Sequence, residues 1–338
     1  MRTVATTKVR WGVLGVAKIA VEKVIPAIAR GQRGEVVAIA SRDADKARAA
    51  AARLGIARAY GSYEELLADP EIEAVYNPLP NHLHVPWSVR ALLAGKHVLC
   101  EKPIACTADE ASHLVEARAH SGRLIMEAVM VRMHPRWLGA RELVRSGRIG
   151  QLRAMTGFFS YCNEAPDNIR HRAEWGGGGL LDIGFYPVTM SRFLFEAEPV
   201  RVMGLLEIDP RFGVDRLASA ILEYPSGHAV FTCATQLAPH QSVDVLGTRG
   251  RIALDLPWSM PHERPSRLWL AGDGPPGESL PEEVWFPACD QWGIQCDRFG
   301  EALRAGAPAP VPIEDAVANL RVLDAIARAA RTGTWQTP

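Results

Sequence analysis

The stretch Trp11-Gly12-Val13-Leu14-Gly15-Val16-Ala17-Lys18-Ile19-Ala20 decides how the rest of the chain is read. It closes an apolar strand at Gly15 and opens a helix at Ile19 that runs to Arg30, with a kink expected at Pro26. Glycines 12 and 15 let the backbone turn tightly and approach a pyrophosphate. The helix N-terminus that follows supplies N–H groups and partial positive charge. Ala17 stands where a dinucleotide fingerprint carries its last glycine, so alone the stretch is equally an ordinary tight strand-to-helix turn. Its place on the first strand of a strand–helix–strand unit favours the nucleotide reading.

Outward from this turn the pattern alternates. Glu35 to Ala40 reads as a strand, Asp43 to Leu54 as an alanine-rich helix, and Tyr63 to Ala68 as a second helix. Ala74 to Tyr76 is a strand, Val85 to Ala94 a helix stopped by Gly95, His97 to Cys100 a strand, and Asp109 to His120 a helix ending near Gly122. Strands alternating with helices predict an α/β, doubly wound parallel sheet over residues 1–125. Beyond about residue 126 the strands lengthen and alternate. They cover Gln151 to Tyr161, Val200 to Ile208, Leu217 to Tyr224 and Ala229 to Gln236, after a helix at Pro135 to Ser146. Ser242 to Leu246 and Arg251 to Leu256 flank a hairpin turn at Gly247-Thr248-Arg249-Gly250. Residues 257–287, rich in Pro and Gly, read as short strands and loops. Ile313 to Thr332 is a closing helix with Val317, Leu320, Leu323 and Ile326 at helical spacing. Residues 126–338 are thus expected to form an α+β domain on an open antiparallel sheet.

Composition narrows the function classes. The 338 residues are nearly half hydrophobic, enough for two packed domains. The 38 basic and 38 acidic side chains cancel, so no nucleic-acid or membrane surface is expected. Six scattered cysteines without a CxxC pair read as reduced thiols in a cytoplasmic protein, neither a disulfide framework nor a zinc site. Met1 to Arg10 is short and polar and is expected to run straight into the first strand. It lacks the apolar core of a signal peptide.

Chemistry-bearing residues gather where strands end. The second strand closes Ala40-Ser41-Arg42 with no acid at Ser41, whereas NAD-binding units place an acid there for the ribose hydroxyls. A hydroxyl beside a guanidinium suits a 2′-phosphate, which makes NADP the expected cofactor and NAD the alternative. Asp43 complicates this, and Arg42 as a solvated surface charge is the competing reading. Asn77-Pro78-Leu79-Pro80-Asn81-His82-Leu83-His84 is a stiffened loop carrying polar side chains toward the expected nicotinamide. His82 and His84 lack companion ligands, so no metal is expected. Lys102 follows a strand and precedes Pro103, which reads as a fixed turn, open to a cis peptide, that aims the side chain. Asp182 and Tyr186 lie four apart, on one face if helical, after Gly176 to Gly179. A helix cap and an ordinary core tyrosine would explain them singly. With Lys102 they form a proton relay, because an ammonium favours the phenolate that a general base requires.

These residues resemble the glucose–fructose oxidoreductase/inositol dehydrogenase (Gfo/Idh/MocA) family over nearly the whole chain. The matching stretches are Trp11 to Ala20, Pro80 to His84, Ala94 to Pro103, Glu127 to Pro135 and Gly176 to Tyr186. The resemblance implies a Rossmann domain, an open-faced sheet packed into homodimers or homotetramers, and a C-terminal helix returning to the first domain. By position Lys102 looks like the catalytic lysine and Asp182 like the acid that orients it. Tyr186, where many members have histidine, is similar to the branch holding NADP-dependent xylose dehydrogenases, dimeric dihydrodiol dehydrogenases and nucleotide-sugar 3-ketoreductases. The cofactor residues so implied are Gly12, Gly15, Val16, Ala17, Lys18, Ile19, Ser41, Arg42, Lys46, Pro78, Leu79, Asn81, His84, Glu101 and Lys102. Lys102, Arg170, Asp182 and Tyr186 would meet substrate, with Arg170 open to a purely structural ion pair. The expected activity is NADP-dependent oxidation of an aldose at C1. The alternatives are reduction of a nucleotide-linked keto sugar, dihydrodiol oxidation, or a cofactor-binding sensor without turnover.

Overall fold

The short apolar runs of the first part pair as an all-parallel sheet of β1 (Val9–Leu14), β2 (Gly34–Ala40), β3 (Arg58–Tyr60), β4 (Ala74–Asn77), β5 (His97–Glu101) and β6 (Ile125–Ala128). Their order is β3-β2-β1-β4-β5-β6, so the winding reverses between β1 and β4. In such sheets ligands bind outside the carboxyl ends of the strands at that reversal. Helices cover both faces, which is why β4 and β6 are buried along their whole length. They are α1 (Ile25–Arg30), α2 (Ala44–Leu54), α3 (Tyr63–Ala68), α4 (His84–Leu93) and α5 (Ala108–Ser121). Asp43, Ser62 and Thr107 cap α2, α3 and α5 by accepting the N–H three residues on. The helix expected from Ile19 contains a π-helical turn, Ala20–Val24, and Pro26 follows it as the second residue of α1.

The computed structural model describes residues 7–272, 274 and 280–338, and the chain divides into two units. The first takes the chain to Met130 together with Asp290–Val317, and the second takes Val131–Cys289 and Ala318–Pro338. The sequence pattern places the change at 125 and marks no helix between 257 and 313. The return segment is in fact α8 (Gln291–Ala305), which packs on α1 and sets Phe299 against Trp11 at 5.4 Å between ring centroids. Only the first residues of α9 (Ile313–Thr332) cluster with the first unit. The rest belong to the second, where Ile326 lies against Gly204 so closely that a Cβ there would meet its backbone oxygen at 2.8 Å. Part of Met1 to Arg10 and of the 257–287 stretch lies outside the described residues.

The second unit is built on a sheet of eight strands in the order β14-β13-β12-β11-β7-β10-β9-β8. They are β7 (Leu152–Cys162), β8 (Arg201–Ile208), β9 (Asp215–Tyr224), β10 (Gly227–Ala234), β11 (Gln236–Gly247), β12 (Arg251–Asp255), β13 (Ser266–Ala271) and β14 (Glu282–Phe286). The expected antiparallel sheet needs one correction: β7 and β10 pair in parallel, because the β8–β9–β10 meander is laid down beside β7 after a helical crossover. α6 (Pro135–Arg145) packs on β13 and β14, and α7 (Phe185–Phe195) packs on β7.

Candidate active site

In the first unit the expected cofactor residues gather at the carboxyl ends of β1, β2, β4 and β5. Gly15 has φ +86°, and a Cβ on it would lie 2.9 Å from Leu79 Cδ2 and 3.6 Å from the Tyr63 hydroxyl. Only glycine holds that turn without strain. Val16, Ala17 and Ile19 are half-buried behind it and Lys18 is exposed. At the end of β2 the Ser41 hydroxyl accepts the Asp43 N–H at 3.2 Å, and the Asp43 carboxylate accepts the Lys46 N–H at 3.0 Å. Asp43, the complicating acid of the sequence, is therefore spent on capping α2. Arg42 is exposed, and burial raises the pKa of the Tyr63 hydroxyl while the Arg42 charge lowers it. Lys46 is exposed in the first turn of α2. These groups fit a phosphate-bearing dinucleotide.

The loop after β4 departs from expectation. Asn77 is fully buried and donates to the His84 carbonyl and to Ser88 Oγ, both at 3.1 Å. His84 is 1% exposed, with Nδ1 2.7 Å from Pro103 O and Nε2 2.6 Å from Leu79 O. Burial pushes its imidazole down to about 4 against the pull of those carbonyls. His84 thus presents no open ring nitrogen to a cofactor or a metal. It ties the β4 loop to the β5 turn instead, while Pro78 and Leu79 are buried and Asn81 half-buried above it.

The turn that carries Lys102 is held at each step. The Tyr76 hydroxyl donates to Glu101 Oε1 at 2.6 Å, and Lys102 N–H to Glu101 Oε2 at 3.3 Å. The Lys102–Pro103 peptide is cis, and Ile104 N–H donates to the buried Glu127 carboxylate at 2.7 Å. Tyr76 and Glu127 were not singled out from sequence: one is an apolar-looking residue inside a strand, the other a lone acid at the end of β6.

In the second unit Asp182 lies in a π-helical turn, Leu180–Gly184, that leads into α7. Its Oδ2 accepts two short bonds, from the Tyr161 hydroxyl and from Arg170 Nε, each at 2.6 Å. Arg170 is held above its ordinary range by the Asp182 carboxylate, with Tyr161 and Tyr186 adding to the effect. Tyr161 is pushed up by burial and by the same carboxylate, so it stays a neutral donor. Arg170 forms the ion pair left open from sequence, and its side chain still keeps 41% of its surface exposed. Tyr186 follows four residues after Asp182 and is 7% exposed. Its ring is walled by Phe159 at 5.8 Å and by Trp258 at 5.6 Å, and Trp258 in turn stacks on Trp137 at 5.3 Å. Tyr161 was missed because it is the penultimate residue of a half-buried strand; its one signal was a polar tip on an otherwise apolar run. Lys102 belongs to the first unit and Arg170, Asp182 and Tyr186 to the second.

A nucleotide turn on a parallel sheet and a carboxylate–arginine–tyrosine cluster on a largely antiparallel one narrow the possibilities sharply. Residues 9–129 match the family model described as oxidoreductase family, NAD-binding Rossmann fold, and residues 137–253 match the GFO/IDH/MocA C-terminal domain. The chain belongs to the GFO/IDH/MocA family. It is an oxidoreductase. Among GFO/IDH/MocA relatives, an uncharacterised oxidoreductase from Rhizobium meliloti is 48% identical, covering 97% of this chain and 99% of its own. The D-xylose 1-dehydrogenase (NADP(+)) 2 of Haloferax volcanii is 38% identical over 96% of this chain and 98% of its own. A crystal structure of a 3-ketoreductase from Actinomadura kijaniata in complex with NADP and TDP-benzene is similar at 30% identity and a TM-score of 0.89. It covers 96% of this chain and 98% of that one. Among the described residues no helix is long and apolar enough to cross a membrane.

Proposed function

We propose that this protein is an NADP-dependent oxidoreductase that transfers a hydride between nicotinamide and a sugar hydroxyl or carbonyl, acting on a free aldose of the xylose or glucose type at C1. The observation that carries the reading is the Asp182 cluster. A buried carboxylate there accepts from Tyr161 and Arg170 on the segment that places Tyr186. NADP, when bound, supplies the hydride acceptor; Gly12 to Ile19, Ser41, Arg42, Lys46, the β4 loop and the Glu101–Lys102 turn are the residues that would hold it. Tyr186 takes the proton of the C1 hydroxyl, and positive charge from Arg170 favours its phenolate. Asp182 fixes Arg170, leaving the open edge of the guanidinium for substrate oxygens. The NADP preference is supported by Arg42 and by the engagement of Asp43 as a cap. The aldose preference is supported by similarity to the xylose dehydrogenase. We also propose a cytoplasmic homodimer or homotetramer assembled through the open sheet.

Similarity to the 3-ketoreductase supports a second reading, reduction of a nucleotide-linked keto sugar. The deciding experiment is cofactor reduction with NADP+ and NAD+ in parallel on a panel of free aldoses, polyols and trans-diols. Turnover of xylose or glucose with NADP+ preferred is expected. Silence across the panel, with NADPH still bound, would transfer the assignment to the nucleotide-sugar reading. Tyr186→Phe is expected to abolish most of the activity at saturating substrate; if it retained most, the assignment of the base would be wrong.

A further inference from the structure

Four glycines, Gly176 to Gly179, lead from Trp175 into Leu180, and the run is packed around a side chain that the mechanism above does not use. Asp215, the first residue of β9, is 9% exposed, and its Oδ2 accepts the Leu180 N–H at 2.6 Å. A Cβ on Gly178, whose φ is +113°, would stand 2.1 Å from Asp215 Oδ1, and one on Gly179 would stand 3.3 Å from Oδ2. The glycines therefore exist to admit this carboxylate. The same run is bonded onward to the reactive cluster. Gly178 N–H donates to the Arg170 carbonyl at 2.9 Å, Gly177 N–H to the Arg172 carbonyl at 2.9 Å, and Asp182 N–H to the Gly178 carbonyl at 3.2 Å.

We propose that Asp215 is the positioning residue of this site: its ionised carboxylate clamps the glycine run, which fixes Arg170 from one side and Asp182 and Tyr186 from the other. The proposal rests on the oxidoreductase reading of Asp182 and Tyr186. The titratable groups that face Asp215 are the Asp182 carboxylate from the π-helical turn and the Cys233 thiol from β10, whose Sγ lies 3.7 Å from Gly179 O. The neighbouring Arg216 is engaged by Glu207 and Gln236. Burial, with the Asp182 charge adding to it, pushes Asp215 up to about 6, against the pull of the Leu180 N–H. The ionised form therefore predominates at neutral pH and gives way to the protonated form in mildly acid medium.

The test compares wild type with Asp215→Asn and, because alanine risks a misfolded site, uses Asp215→Ala only as a second variant. The readouts are the pH profile of kcat/KM on whichever sugar is turned over, the NADPH affinity by fluorescence, and the unfolding midpoint against pH. Asp215→Asn is expected to fold, to bind NADPH within about twofold of wild type, and to lose roughly 10- to 100-fold in kcat/KM through misplacement of the reacting groups. The acid limb of the wild-type profile near pH 6 should vanish in it. Asp215→Ala should lose at least as much. Wild-type kcat/KM in Asp215→Asn, or an acid limb that persists there, would overturn the proposal. If no sugar is turned over, the functional reading fails and the unfolding curves still decide for Asp215. A raised carboxyl pKa makes the wild-type midpoint fall relative to Asp215→Asn as pH rises through about 4 to 6, and parallel curves would refute the clamp.

Discussion

A carboxylate such as Asp182 is stable in a nearly closed site only because two donors meet it. Tyr161 contributes a neutral O–H and Arg170 a charged N–H, so the cluster keeps one formal positive and one formal negative charge. That balance lets Tyr186 sit among aromatic rings without importing an uncompensated charge. On the cofactor side the comparable decision falls to Arg42. Removing its guanidinium in Arg42→Ala should cost charge-assisted bonds to a 2′-phosphate, about 1.5–3 kcal/mol. NADPH titration should then show a Kd raised roughly 10- to 100-fold, with NADH binding changed less than about threefold; equal losses for both would show that Arg42 does not read the phosphate. Lys102 and Tyr186 could be singled out from sequence because each stands beside a proline, and Arg170 and Asp182 because they flank the glycine run. Tyr161 and Asp215 could not be, since each is a polar residue inside or opening a strand and meets its partner only through sheet pairing and the helical crossover.

Elements were legible in proportion to the apolar contrast they carry. α9 shows its stripe of Val317, Leu320, Leu323 and Ile326 and was bounded from sequence. α8 was invisible because its buried face is made of Gln291, Gly293, Gln295, Cys296, Phe299, Gly300 and Ala302, so the 3.6-residue period is masked by glycines and amides. β3 and β6 are too short, at three and four residues, to show alternation. What holds α8 in the first unit is partly ionic: Arg304 donates to Glu73 Oε1 at 2.6 Å and Oε2 at 2.7 Å, and to the Thr7 and Lys8 carbonyls. The hydrogen bonds from Arg304 hold the Glu73 carboxyl below its usual range despite partial burial. Because that pKa is depressed, the pair stabilises the fold above the unfolded carboxyl range and is lost as pH falls through the folded value. Arg304→Ala should therefore lower stability by about 2 kcal/mol at neutral pH, with the difference from wild type shrinking in acid. Thermal unfolding checks this, and a constant difference across pH would contradict the ionic account.

At the scale of the molecule, two units of different architecture are each interrupted by the other's chain, which composition and periodicity could not show. The parallel pairing of β7 with β10 was hidden for the same reason: strand direction follows from the path of the chain, and local alternation reports only which face is buried. That alternation does expose one face of the sheet. Ile221 and Val230 pair in register and are 40% and 42% exposed, with Leu205 on the neighbouring strand 71% exposed. If this face is the proposed oligomer interface, Ile221→Lys with Val230→Glu should convert a dimer or tetramer to a monomer in sedimentation; an unchanged oligomer would place the interface elsewhere. The central claim is hydride transfer from a sugar carbon to nicotinamide, and it is tested most directly with xylose or glucose deuterated at C1. The account predicts that NADP+ is reduced to NADPH carrying the deuterium, with a slowed rate and a lactone as product. Reduced cofactor without the label would contradict it.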